Sequence, residues 1–151
     1  QELLDAAGKY FKKLMKNRPE RIELEIEPME AKVIGDVNQL RFLLENLIDE
    51  ALTVREDGVI RLQARLDNEY IRFLFTDTRR EKSVEELNQL FYPNLARMTS
   101  GEKGELRGTE YLVCKQIIRD HDEFAGRRGC RINAEPAEGG GFTVYFTIPR
   151  R

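Results

Sequence analysis

Apolar residues recur over residues 2–16 as Leu3, Leu4, Ala7, Phe11, Leu14 and Met15, the spacing of one helix face, and Pro19 closes the segment. Ile22, Leu24 and Ile26 then alternate with Glu23, Glu25 and Glu27, the two-residue period of a strand with one wet face. A second helix is predicted from about Val37 to Leu52, with Leu40, Leu43, Leu44, Leu47, Ile48 and Ala51 on a broad apolar side. Alternation returns over 59–66, a turn is expected at Asp67-Asn68, and Tyr70–Phe75 reads as the returning strand. Ser83 with Glu86 three residues on forms a capping box before Val84, Leu87, Leu90 and Phe91.

Pro93–Gly108 carries few large apolar residues and reads as a loop, after which a helix is expected from Thr109 through Ile118. A strand near Cys130–Ala134, a Gly139-Gly140-Gly141 turn and a strand over Phe142–Ile148 complete the order. Hairpins among the strands argue against a doubly wound parallel sheet. They predict an α/β (α+β) two-layer sandwich, with a mixed, mostly antiparallel sheet and helices on one face.

A chain of 151 residues fits one domain, taken here as 1–151, and its 40% hydrophobic and 34% charged residues suit a folded, well-solvated domain. The net charge of −2 offers no electrostatic handle for nucleic acid or an anionic membrane surface. The apolar runs are far too short to span a bilayer. Cys114, Cys130 and His121 supply neither a disulfide framework nor a zinc centre. The chain opens on Gln1, and we expect it to be cut from a longer protein.

Asp36, with Asn46 ten residues later in Asn46-Leu-Ile-Asp-Glu50-Ala51, resembles the helix of sensor histidine kinases that carries an Asn-x-x-x-Asn-Ala pattern; here Glu50 stands at the second Asn. Phe73-Leu-Phe-Thr-Asp77-Thr78 resembles the strand entering that family's first glycine motif, Asp-x-Gly-x-Gly, with Arg79 and Glu81 in the glycine places. Leu106-Arg-Gly108-Thr-Glu110 and the helix running to His121 resemble the second glycine motif, of which Gly108 alone survives in register. The closing hairpin, with Thr143, is also similar. The resemblance covers nearly the whole chain in the family's order. A competing register, similar to gyrase-type ATPases, would make Asn46 the metal ligand and put Phe42 where the catalytic base belongs.

The resemblance implies a histidine-kinase-like ATPase fold and a nucleotide site at Asn46, Glu50, Asp77, Gly108 and Thr143. Asp77 would accept the adenine amino group, Thr143 would stand beside the adenine-bound water, and Asn46 and Glu50 would face Mg²⁺. Read without the resemblance, Asp77 is a strand-end turn residue, and Asn46 and Glu50 form a polar stripe on a helix. Backbone amides must approach phosphates closely, which is why glycines recur in such loops. Side chains at 79, 81, 106 and 110 therefore weigh against ATP and Mg²⁺ as cofactors. Arg79, Arg80 and Arg107 could instead clamp phosphate, or form a solvated basic surface.

His121 matches the family's structural histidine rather than a phosphoacceptor. The expected function is that of a degenerate ATP-binding domain of a two-component sensor histidine kinase, cytoplasmic, working in signal transduction. Its expected partners are the other domains of the parent sensor and a response regulator, with no nucleic acid and no membrane contact. The alternatives are an active kinase domain with an unusual phosphate site, and a pure protein-interaction module on the same scaffold.

Overall fold

The computed structural model describes residues 2–27, 29, 36–79, 83–89, 109–125, 131–137 and 139–149. In chain order these form α1 (Glu2–Met15), β1 (Ile22–Ile26), α2 (Val37–Ala51), β2 (Gly58–Asp67), β3 (Tyr70–Asp77), α3 (Val84–Gln89), α4 (Thr109–Ala125), β4 (Ile132–Pro136) and β5 (Phe142–Pro149). The five strands make one sheet in the order β1-β2-β3-β5-β4. β1 and β2 run parallel, and every other pairing is antiparallel. The sheet is mixed and mostly antiparallel, as the alternating pattern predicts.

Register separates the two faces, because successive side chains point to opposite sides of a strand. Ile22, Ile60, Leu62, Phe73, Phe75, Val144, Phe146 and Ile148 share one face and are buried. Phe73 and Phe146 lie directly opposite one another with stacked rings 4.9 Å apart. Helices cover this face. α2 contributes Leu40, Leu43, Leu44, Leu47 and Ile48, each no more than 1% exposed, so its broad apolar side is the centre of the core. Leu4, Ala7 and Phe11 of α1 and Ile117 and Ile118 of α4 complete the layer.

Polar contacts pin the helices to each other. The Tyr10 hydroxyl of α1 donates to Asp49 of α2 at 2.6 Å. Burial, and then the Asp49 carboxylate, push the phenol well above its ordinary range, so it stays a donor. The Cys114 thiol donates to the Leu43 carbonyl at 3.6 Å, joining α4 to α2.

The local signals act where the sequence places them. Ser83 Oγ accepts from the Glu86 amide at 3.1 Å, and Glu86 reaches back to the Ser83 amide at 3.2 Å, the reciprocal box that starts α3. The β2–β3 hairpin turns on Asn68-Glu69, one residue later than expected, with Asn68 at φ 56°. β4 begins at Ile132, two residues later than expected, and α4 runs on to Ala125, beyond the expected Ile118. That extension carries His121 inside the helix. The expected loop at Pro93–Gly108 lies outside the described residues.

Candidate functional site

Asp77 is the last residue of β3, on the helix-covered face in line with Ile71, Phe73 and Phe75, and is 3% exposed. A carboxylate so deeply placed needs partners. Arg79 supplies them. Its backbone amide and its Nε both donate to Asp77 Oδ1, at 3.0 and 2.9 Å, and one Nη2 hydrogen reaches Oδ2 at 2.8 Å. The other Nη2 hydrogen meets the Ala51 carbonyl at the end of α2. Nη1 donates to the Val54 and Glu56 carbonyls at 2.8 and 3.2 Å.

A guanidinium has five N–H donors, and here every one has an acceptor while the side chain is 1% exposed. The planar fork thus joins the end of β3 to the end of α2 and the turn beyond it. No basic residue stands in the last turn of α2, so its carbonyl end takes positive charge from elsewhere: Arg79 on Ala51, and Arg18 on Leu52 at 2.7 Å.

Two glycines make this corner passable. A Cβ on Gly58, whose φ is 152°, would lie 2.4 Å from Arg79 Cγ. A Cβ on Gly141, at φ 82°, would lie 2.1 Å from the Asp77 carbonyl oxygen. Backbone therefore crowds Asp77 from one side and the Arg79 stem fills the other.

Of the other expected residues, Thr143 is the one that strand register sets apart from Asp77. Thr143 pairs in register with Thr76, and the two hydroxyls are 2.8 Å apart, so Thr143 lies on the opposite face of the sheet from Asp77. Its parity was readable, since Phe142, Val144, Phe146 and Ile148 are the apolar set of β5 and Thr143 falls between them. Asn46 is buried on α2 and donates an amide hydrogen to the Phe42 carbonyl of its own helix at 2.7 Å. Glu50 is half-buried one turn further on, and the Thr53 hydroxyl donates to its carbonyl. Phe42 itself is 49% exposed and carries no group able to take a proton. Gly108, Arg80, Glu81 and Arg107 lie outside the described residues.

Arg79 is not placed as a phosphate clamp, because all its donors are committed to the protein. Its bond to Asp77 is what sequence reasoning missed. A signal existed: a strand-end Asp of core parity with an Arg two residues on.

His121 is buried in α4 and serves α2. The Asp36 amide donates to its Nε2 at 3.0 Å, so that nitrogen must be the unprotonated one, and Nδ1 donates to the Ile117 carbonyl at 2.8 Å. Asp36 in turn caps α2 by accepting from the Asn38 and Gln39 amides at 2.9 and 3.2 Å. Among the described residues no group of three or more His, Cys, Asp or Glu could hold a metal ion. No helix among them is long and apolar enough to cross a membrane.

This fold and its motif order define a class, and comparison with known proteins identifies it. The family described as histidine kinase-, DNA gyrase B-, and HSP90-like ATPase matches residues 35–151. The chain belongs to that family. The sensor histidine kinase RcsC of Escherichia coli (strain K12) is 26% identical over 116 residues, which are 76% of this chain but 12% of that protein. The catalytic domain of histidine kinase ThkA superposes with a TM-score of 0.74 at 21% identity, covering 99% of this chain and 92% of that one. The mycobacterial sensor histidine kinase MprB gives 0.69 at 18% identity, covering 97% and 93%. At these identities the structural likeness establishes the fold.

Among the described residues, the base end of the site does not fit an adenine as it stands. The carboxylate that would receive the base already accepts three hydrogen bonds from Arg79 and is closed to solvent. Thr143, expected beside the adenine-bound water, lies on the opposite face of the sheet from that carboxylate.

Proposed function

We propose that residues 1–151 are the single ATPase-like domain of a two-component sensor histidine kinase, part of a longer signalling protein, whose nucleotide site is degenerate and binds ATP weakly or not at all. The observation that carries this reading is the bidentate Arg79–Asp77 pair, which closes the base end of the site. The sequence adds side chains at three further glycine places, 81, 106 and 110. With base and phosphate halves both altered, the domain acts by contact rather than by phosphoryl transfer.

The contacts are made with the other domains of the parent sensor and with a response regulator, on the cytoplasmic side. Two likenesses support this: the match to RcsC, a sensor histidine kinase, and the match to histidine kinase ThkA, whose structure in complex with the response regulator protein TrrA superposes with a TM-score of 0.71.

Calorimetric titration of the chain with ATP, with and without Mg²⁺, tests the proposal. The expected result is a Kd no tighter than about 1 mM, equivalent to roughly −4 kcal/mol. Micromolar binding with Mg²⁺-dependent hydrolysis would instead establish an active kinase domain with an unusual phosphate site.

A further inference from the structure

We infer that Arg79 is a permanent internal occupant of the base end of this site, and that Gly58 is the residue that lets it lie there. The inference rests on reading Asp77 as the base-recognition carboxylate. An adenine would present a planar edge with an amino donor to that carboxylate. Arg79 presents a planar edge with two donors to the same oxygens, and carries a full charge where adenine carries none.

The remaining three donors reach carbonyls of residues 51, 54 and 56, so the side chain is held by two segments distant from it in sequence. Swinging it out would strand a buried carboxylate and three carbonyls at once, which makes it a fixture and not a gate. Gly58 is its counterpart. Any side chain at 58 would enter the Arg79 stem, with Cβ 2.4 Å from Cγ and 3.1 Å from Cδ, and φ 152° is itself a conformation that favours glycine. Arginine at 79 and glycine at 58 are thus a matched pair built into this chain.

Arg79→Gly, which returns a glycine to the first glycine motif, provides the test. Adenosine is titrated by calorimetry into the wild-type chain, R79G and D77N/R79G, with folding checked by circular dichroism and a cooperative melt. R79G is expected to bind adenosine at least about tenfold more tightly than wild type, and D77N/R79G to lose that gain.

Should R79G not fold, melting of G58A, R79A and G58A/R79A decides the matter. G58A should lower Tm by at least about 4 °C more in the wild-type background than in R79A, because only the former holds a stem to clash with. A folded R79G that binds adenosine no better than wild type overturns the inference, as does a G58A cost equal in both backgrounds. The two readings fail separately. Mg²⁺-ATP binding by the wild type contradicts the degenerate site, whereas an R79G-to-wild-type adenosine ratio near one removes the occupant.

Discussion

The two faces of this sheet use the same chemical pair, carboxylate with guanidinium, to opposite effect. On the outer face Glu25 meets Arg61 at 3.0 Å and Glu27 meets Arg65, with both partners of each pair about half exposed. On the helix-covered face Asp77 meets Arg79 with side chains 5% and 1% exposed. Water competes for every outer pair, so each is weak and replaceable. The inner pair has no such competitor, and its charges are tolerable only because each N–H and both oxygens are matched. Burial, not the pair itself, turns a surface decoration into a fixed element of the site.

Breaking the inner pair is the severest test of that contrast. Asp77→Asn or Arg79→Ala should each cost about 3–5 kcal/mol in urea unfolding, since each leaves a buried partner uncompensated. The double variant should cost clearly less than the sum of the two. Strict additivity would mean that the groups are independent and the contrast between faces is empty.

Gly141→Ala attacks the same corner from the backbone side. The added methyl meets the Asp77 carbonyl at 2.1 Å in a conformation that L side chains rarely adopt, so a loss of about 3 kcal/mol is expected in the same assay. A loss under about 1 kcal/mol would show that the corner yields easily. Ser83→Ala, away from both faces of the comparison, removes one half of the α3 capping box and should cost only about 1 kcal/mol.

The smallest expected effect lies on the outer face. Hydrogen bonds from Arg65 and then Gln63 hold the Glu27 carboxyl below its ordinary range. A carboxyl lowered on folding stabilises the fold above its unfolded value, and that contribution fades as pH falls through its folded value. For an exposed pair the contribution is small and salt-screened. Arg65→Ala should raise the Glu27 midpoint toward the ordinary carboxylate range in an NMR titration. An unchanged midpoint would remove Arg65 as the cause.

Much of this fold was legible because its signals are local. Period-two alternation marked β1 and β2, turn residues set off β3 and β5, the Ser83–Glu86 spacing gave the start of α3, and the ten-residue offset from Asp36 to Asn46 coincides with the capped helix α2. The site was legible less evenly. Motif order pointed to Asp77, and matching positions one by one assigned Thr143 to the same adenine half, whereas strand parity places Thr143 with Thr76, Tyr145 and Thr147 on the outer face. Apart from Asp77, the acceptors of the Arg79 guanidinium lie more than twenty residues upstream, at Ala51, Val54 and Glu56, and no spacing rule connects them. Without them Arg79 reads as part of a solvated basic surface or as a phosphate clamp. Tertiary structure alone shows it fully committed.

Hydrogen exchange at the Arg79 Nε–H, followed by ¹⁵N NMR of the wild-type chain, tests the central claim most directly. We expect one strongly protected arginine Nε–H resonance, absent from R79A, collapsing to rapid exchange in D77N, and unmoved by excess Mg²⁺-ATP or adenosine. An Arg79 Nε–H that exchanges as fast as those of the outer-face arginines, or that shifts as nucleotide is added, would contradict the claim that this side chain holds the base end of the site.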